Sequence, residues 1–252
     1  MKKQILVAAM MICGMLFAAD EALLAHWSFD DDTTEGLKSS VGGYVLTSRK
    51  KADFSTVRFV KGIRGNAIEF LPGNKVHYSL PPFQLTDIKP PFTFACWLRK
   101  TQEEPKRAII CATASDPFDF GFEFAWMYRM GAFRRGDRSK SIMKGAMVID
   151  KWQHLAVTCD GKKMKLYIDA QLIETKDASE LTFPPVPKNQ SGYRFTLGQY
   201  PTTWDAYAVT GMLDDLFIFS RALSEEEIGN LSLFGTPDGL KETSTPDESK
   251  KK

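Results

Sequence analysis

Residues 152–175, WQHLAVTCDGKKMKLYIDAQLIET, constrain the fold of this chain more than any other stretch. Two runs of β-forming residues, Leu155 to Thr158 and Met164 to Ile168, flank the dipeptide Asp160-Gly161. An Asp-Gly dipeptide between such runs is the strongest short-range signal for a β-hairpin. In the second run, every second residue is apolar, which is typical of a half-buried strand. The stretch therefore predicts an antiparallel β protein.

The size and composition of the chain fit one large β-sandwich. The chain has 252 residues, of which 43% are hydrophobic and 25% charged, as is ordinary for a globular soluble protein. The sequence has no internal repeat and no sign of a second domain. We expect one domain over residues 20–235.

The N-terminus has the layout of a secretory signal peptide. Lys2 and Lys3 precede an apolar run from Ile5 to Ala19. A run of about 15 apolar residues is too short to span a bilayer comfortably. We expect cleavage near Ala19 and a secreted, periplasmic or cell-surface location, with no membrane span in the mature chain.

The net charge argues against nucleic acid as a partner. The whole chain has 33 basic and 31 acidic residues, and residues 1–19 contain two lysines and no acid. Without the leader, the chain is therefore neutral. Phosphate binding needs a cationic surface, which this composition does not provide.

Several short segments have strand character. Residues 25–29, 57–59 and 66–70 are predicted as strands, and residues 92–99, FTFACWLR, are apolar on both faces. Such a segment is typical of a central strand in a packed sandwich. We expect residues 108–113 to form its hairpin partner across a polar turn.

Three cysteines remain after removal of the leader: Cys96, Cys111 and Cys159. Cys96 and Cys111 are placed symmetrically about the expected turn, so a hairpin would put them opposite each other. A cross-strand disulfide is possible in an oxidising compartment. Small buried thiols are an equal alternative.

Aromatic residues alternate with others in residues 118–128. The aromatic residues occupy only even positions, so they share one face of an extended strand. One interpretation is a platform on which sugars stack. We favour the other, a row of core residues, because exposing so many rings is costly.

One helix is predicted near the C-terminus. Ser224 and Glu227 have the spacing of a capping box, and Glu225 and Glu226 complement the helix N-terminus. Residues 236–252 contain almost no apolar residue, and we expect a disordered tail there.

Five segments together resemble one family. They are AHWSFDDD, GIRGNAIEF, FTFACWLRK, WQHLAVTCDGKKMKLYIDAQLI and GMLDDLFIFSRALSEEEI. Their order and spacing, over residues 25–234, resemble the laminin G-like domains of the concanavalin A-like lectin/glucanase superfamily. The resemblance implies an all-β jelly-roll sandwich of two antiparallel sheets with one short C-terminal helix. It also implies structural roles for Trp152 and His154, and for Arg221 as a strand-to-helix anchor.

The resemblance further implies a structural calcium ion. Calcium prefers six to eight oxygen ligands, several of them carboxylates. Asp30 and Asp32 follow the first strand, and Asp214 lies in the late Asp-Asp motif; we expect these three to be the ligands. The chain departs from its relatives at Lys38, where an acid is common. Acidic turns with one buried, hydrogen-bonded Asp214 are an equal alternative.

The function expected from the sequence is that of a secreted, non-catalytic binding module for carbohydrate or an extracellular protein. Tyr200, Trp204 and Tyr207 lie in one loop, YPTTWDAYAV, and combine an apolar face with a polar tip. We expect these three residues to bind the ligand. For each residue alone, packing on the core is an equal alternative.

Two other functions remain open. The superfamily includes glycoside hydrolases and polysaccharide lyases, but retaining hydrolysis needs two carboxyl groups about 5 Å apart. Asp119 and Glu123 are separated by roughly 13 Å along an extended strand, which is too far. The third function is a structural or adhesive role in a secreted assembly.

Overall fold

The computed structural model of the protein describes residues 20–48, 53–85, 88–102, 147–179, 194–198 and 209–237, and the backbone of 108–113, 120–125 and 129–133. The described strands are β1 (Leu23–Trp27), β2 (Gly36–Lys38), β3 (Val45–Ser48), β4 (Val57–Lys61), β5 (Asn66–Phe70), β6 (Tyr78–Ser79), β7 (Phe92–Lys100), β8 (Ala108–Thr113), β9 (Phe120–Ala125), β10 (Arg129–Phe133), β11 (Trp152–Cys159), β12 (Lys163–Ile168), β13 (Gln171–Asp177), β14 (Phe195–Leu197) and β15 (Gly211–Phe219). One α-helix, α1 (Glu225–Phe234), and a 3₁₀ turn at Phe54–Thr56 complete the described elements. The expected leader and residues 238–252 of the expected tail lie outside them, so both stay predictions.

The strands form two antiparallel sheets. The eight-stranded sheet has the order β13-β12-β11-β7-β15-β5-β4, and β1 pairs with β15 beside this path. The seven-stranded sheet has the order β10-β9-β8-β14-β6-β3-β2. The predicted all-β sandwich with a C-terminal helix is confirmed.

The hairpin at Asp160-Gly161 is also confirmed. Cys159 is opposite Met164 in the register of β11 and β12. Asp160 Oδ1 accepts hydrogen bonds of 2.7 Å from the backbone N–H groups of Lys162 and Lys163. Gly161 has a φ of +91°, a conformation that residues with a Cβ rarely adopt. The turn sequence therefore determines the register of this hairpin.

The expected hairpin between β7 and β8 is wrong. β7 pairs with β11 on one side and β15 on the other, whereas β8 lies in the other sheet between β9 and β14. Because β11 and β15 occupy both edges of β7, no edge is left with which β8 could pair.

The eight-stranded sheet is packed on both faces. Alternate residues of β7, including Phe94 and Cys96, face the core between the sheets. Ala95, between them, packs with Ile228 and Leu231 of α1 in a second cluster on the outer face. This explains why FTFACWLR is apolar on both sides.

The helix begins as predicted. Ser224 Oγ accepts from the N–H of Glu227, and the Glu227 carboxylate accepts from the N–H of Ser224. Arg221 pairs with Asp20 and with Glu227 at 2.6 Å each, which supports its expected role as an anchor. Within the described ranges, no helix has both the length and the apolar character needed to cross a membrane.

Candidate functional site

The three aromatic residues expected to bind a ligand, Tyr200, Trp204 and Tyr207, lie outside the described residues. The residues that flank their loop, Gly198 and Val209, are described. The N–H of Val209 donates a 2.8 Å hydrogen bond to the carbonyl oxygen of Gly198. The two residues that flank the loop are therefore neighbours at one point in the sandwich. The binding role of the aromatic residues stays a prediction.

Gly198 holds this point close to the core. Its φ is +95°, and a Cβ built on it would lie 2.8 Å from Cε1 of Phe70. Glycine is the residue that avoids both the strained backbone and the clash. Gly198 follows Thr196 of β14 by two residues, so the loop departs directly beside the seven-stranded sheet.

A row of small residues crosses the seven-stranded sheet next to this point. Each member is a glycine, alanine, serine or threonine from a different strand, and all are in register. From β2 to β9, this small-residue row consists of Gly36, Thr47, Ser79, Thr196, Ala112 and Gly121.

The small-residue row lies on the outer face of the sheet. The residues next to its members along the strands, Leu46, Tyr78 and Leu197, belong to the core between the sheets. Successive residues of a strand alternate between its faces. The side chains of Thr47, Ser79 and Thr196 therefore face away from the core, beside the base of the aromatic loop.

The small-residue row provides hydrogen-bonding groups with little bulk. Thr47 is exposed and Ser79 is half-buried. Among the described residues, neither hydroxyl has a hydrogen-bond partner. Thr196, in the middle of the row, is 0% exposed. The accessible described members therefore lie on β2, β3 and β6, which span about 10 Å because neighbouring strands are about 4.8 Å apart. A strip of this size suits a small molecule that carries hydroxyl groups.

Two of the carboxylates expected to bind calcium accept hydrogen bonds from the turn between β4 and β5. Asp30 Oδ1 accepts a 2.7 Å hydrogen bond from the N–H of Asn66. Asp214 Oδ2 accepts from the N–H groups of Ile63, at 2.7 Å, and Arg64, at 3.1 Å. Burial, followed by the neighbouring Asp215, raises the pKa of Asp214 to about 7. The structure thus brings Asp30 and Asp214 to the same turn, and their role as calcium ligands stays a prediction.

Asp32, the third expected ligand, accepts a hydrogen bond from a different part of the chain. Its Oδ1 accepts a 2.7 Å hydrogen bond from the N–H of Lys38. Burial raises the pKa of Asp32, and the bond to Lys38 opposes this shift.

The described residues do not fit a calcium site. No group of three or more histidine, cysteine, aspartate or glutamate side chains converges among them as a metal site requires. Asp30 Oδ1 and Asp214 Oδ2 already accept backbone hydrogen bonds, and the guanidinium of Arg64 pairs with the neighbouring Asp215. The calcium site stays a prediction, without support in this part of the chain.

Asp215, next to Asp214, connects four parts of the chain. Its side chain is 5% exposed; Oδ1 pairs with His26 Nε2 at 2.8 Å, and Oδ2 accepts from Arg64 Nε. The same guanidinium donates to the carbonyl oxygens of Ser232, at 3.2 Å, and Leu231, at 3.4 Å. Arg64 therefore binds a buried carboxylate and the C-terminal end of α1 at once.

His26 extends this network to a surface serine. Its Nδ1 lies 3.1 Å from Oγ of the exposed Ser40. The imidazole stacks on Phe217 with 4.0 Å between ring centroids and 3° between planes. The backbones are also tied, since Ser40 N donates to the carbonyl oxygen of His26 and His26 N donates to Ser39 Oγ.

The series Ser40, His26, Asp215 has the order of groups found in a nucleophilic relay. In such a relay, a carboxylate stabilises the protonated imidazole. Here the guanidinium of Arg64 shares Asp215 and offsets its charge. The arrangement therefore fits a tether between the 39–40 loop and β15 better than a catalytic base. Sequence reasoning missed it because these residues are far apart, and the Asp-Asp motif was its only signal.

His154 has the structural position that the resemblance implied. It is fully buried, its N–H donates to Asp169 Oδ1 at 2.9 Å, and its carbonyl oxygen accepts from Asp169 N at 2.8 Å. Burial, followed by the charge of Arg64, lowers the pKa of His154 to about 4. The imidazole is therefore uncharged at neutral pH.

The predicted disulfide loses the hairpin on which it was based. Cys96 lies buried in β7 of one sheet, and Cys111 lies in β8 of the other. The side chain of Cys111 is outside the described residues. The pairing of these two cysteines stays a prediction.

Known proteins share this fold. A family model of the laminin G type, described as the concanavalin A-like lectin/glucanases superfamily, matches residues 72–229, which is more than half of the chain. No curated protein sequence matches the chain. Domain 4 of an extracellular GH43 arabinanase from Geobacillus stearothermophilus has 22% identity and a TM-score of 0.61, covering 83% of this chain and 98% of that one.

Two further solved structures are similar over most of this chain but are longer. The sialidase of Trypanosoma rangeli has 14% identity and a TM-score of 0.61, with 84% of this chain and 32% of the sialidase covered. The binding domain of a paraclostridial mosquitocidal protein has 16% identity and a TM-score of 0.62, with 84% and 52% covered. The chain therefore spans about a third of the sialidase. At these identities, the likeness is one of fold. The family match, over more than half of the chain, establishes that the chain belongs to the concanavalin A-like lectin/glucanases superfamily.

Proposed function

We propose that this chain is a secreted, non-catalytic module that binds carbohydrate on the outer face of its seven-stranded sheet. The observation that carries the proposal is the small-residue row beside the base of the aromatic loop. The proposal retains Tyr200, Trp204 and Tyr207 as ligand-binding residues.

The chemistry of the surface suits a sugar chain. Sugars present hydroxyl groups that both donate and accept hydrogen bonds, as the hydroxyls of Thr47 and Ser79 do. Sugars also present apolar ring faces, which pack on aromatic side chains such as that of Trp204. The small residues Gly36, Thr47 and Ser79 leave room for a sugar beside β2, β3 and β6.

Two similar structures support this ligand class. The Geobacillus arabinanase domain was solved in complex with arabinotriose. The Trypanosoma sialidase was solved in complex with sialic acid. These ligands belong to those proteins, and their relevance to this chain is part of the proposal.

Filling the small-residue row is expected to abolish most of the binding. A glycan array identifies the best ligand, and calorimetry then measures its Kd. Thr47→Trp places a bulky ring on the row, and we expect Kd to rise at least tenfold, which corresponds to about 1.4 kcal/mol. Trp204→Ala is expected to weaken binding to a similar or larger extent, because aromatic anchors dominate binding energies.

Thr175→Trp is the matched control. Thr175 is also an exposed strand threonine, but it lies on β13 at the edge of the other sheet. Its substitution is expected to leave Kd unchanged. Equal Kd values for both threonine variants would place the ligand elsewhere. A protein captured from a cell surface, with no glycan bound, would favour the adhesive function.

The non-catalytic part of the proposal has its own test. An activated serine reacts covalently with a fluorophosphonate probe. We expect no labelling of the protein at Ser40, because Arg64 offsets the charge of Asp215. Labelling that disappears in Ser40→Ala would contradict this part and identify an acyl-transfer enzyme.

A further inference from the structure

A second row of side chains crosses the outer face of the eight-stranded sheet. Asp214 of β15 is opposite Trp97 of β7, which is opposite His154 of β11. Ala95 and Ala156, two residues away along their strands, pack against α1 on this face. The three side chains therefore lie side by side near the helix, and we call them the polar row.

The polar row contains buried polar atoms without hydrogen-bond partners. Among the described residues, no partner is found for Trp97 Nε1, for either ring nitrogen of His154, or for Asp214 Oδ1. His154 and Asp214 are both 0% exposed. Buried polar groups in native proteins are nearly always satisfied, by protein or by ordered water. Four such atoms in one row indicate a bound species.

The hydrogen-bonding capacities of these atoms restrict that species. The indole of Trp97 only donates, and the uncharged imidazole of His154 has one donor and one acceptor. Asp214 Oδ1 accepts when the carboxyl is ionised. The occupant must therefore both accept and donate hydrogen bonds.

Charged occupants do not fit the polar row. A cation would face the N–H of Trp97, and no cluster of metal ligands exists among the residues described. An anion would lie beside the carboxyl of Asp214. A small neutral molecule that both donates and accepts satisfies every member.

The residues are too far apart to satisfy each other across the whole row. Two strand spacings separate Asp214 from His154, which is roughly 9.6 Å between backbones, and Trp97 stands between them. The rings of Trp97 and His154 have centroids 5.3 Å apart and planes tilted by 58°.

We propose that ordered water molecules occupy the polar row. One accepts from Trp97 Nε1–H and bonds to a ring nitrogen of His154, and a further water donates to Asp214 Oδ1. The water would join three neighbouring strands through groups that do not otherwise meet. This hydration site is independent of the proposed carbohydrate surface, which lies on the other sheet.

Rotating-frame NMR on the wild-type chain, labelled with ¹⁵N-tryptophan, tests this proposal. The indole proton of Trp97 is expected to show a dipolar cross-peak with water, opposite in sign to a chemical-exchange peak. Trp97→Phe assigns the signal. If that variant does not fold, the other four tryptophans are replaced one at a time, and Trp97 is assigned by elimination.

Trp27 provides an internal control in the same sample. Its indole is also buried, but Nε1 donates to the carbonyl oxygen of Leu37 at 3.2 Å. We expect no cross-peak with water at Trp27. The absence of a dipolar cross-peak at Trp97, or only an exchange peak there, would overturn the proposal.

Discussion

Arg64→Ala is expected to lower the free energy of unfolding by about 3 to 5 kcal/mol, the cost of removing one partner of a buried ion pair. The substitution leaves Asp215, which is 5% exposed, with His26 as its remaining side-chain partner among the residues described. It also removes the donors that bind the carbonyl oxygens of Leu231 and Ser232 at the end of α1. Urea unfolding followed by circular dichroism measures the change.

Lys151→Ala is the control for this prediction. Lys151 and Asp169 form an exposed pair, with 57% and 35% of their side chains accessible. Exposed pairs contribute at most about 1 kcal/mol, so this variant should remain close to wild type. Similar losses for both variants would mean that the Arg64 network does not hold the helix and the turn together.

The second large effect is a loss of stability in acid that depends on His154. The pKa of His154 is about 4 in the folded chain, against an ordinary value of 6.5. Between these values the unfolded chain binds a proton that the folded chain does not, so stability falls as the pH falls. Above pH 6.5 the titration of His154 hardly changes the free energy of unfolding. At pH 4 it has lowered this free energy by about 3 kcal/mol.

The carboxyl groups titrate in both wild type and His154→Gln. The difference between the two proteins in the pH dependence of the free energy of unfolding therefore isolates the effect of His154. The wild type is expected to lose about 3 kcal/mol more than the variant between pH 7 and pH 4. Should the variant fail to fold, the ring-proton NMR signals of His154 in the wild type give its pKa directly. A titration midpoint near 6.5 would contradict the prediction.

Local sequence signals predicted the elements that depend on a few neighbouring residues. The Asp160-Gly161 hairpin and the Ser224 capping box each follow from hydrogen bonds within four residues. The prediction of a β7–β8 hairpin was wrong because strands that are consecutive in the sequence need not pair in the sheet. Which strands occupy the two edges of β7 is decided by residues far away in β11 and β15.

The site was less predictable than the fold for the same reason. The resemblance brought Asp30 and Asp214 to one place, but not the amide groups of Ile63, Arg64 and Asn66 that they bind. Arg64 gave no sign in the sequence of its role beside Asp215, some 150 positions away. An isolated carboxylate pattern fits a metal ion or a backbone turn equally well.

The small-residue row could not be found in the sequence at all. Thr47, Ser79 and Thr196 lie in strands of two to four residues from distant parts of the chain. Only the register places them side by side. For the aromatic strand, Phe122 is in register with Cys111, which is in register with Leu197. The side chains of this strand lie outside the described residues, so the core interpretation stays a prediction.

Calorimetric titration of one array-selected glycan into wild type, Thr47→Trp and Thr175→Trp tests the central claim most directly. Carbohydrate binding on the outer face of the seven-stranded sheet predicts a Kd at least tenfold higher for Thr47→Trp and an unchanged Kd for Thr175→Trp. An unchanged Kd for Thr47→Trp, in a variant that unfolds like wild type, would contradict it.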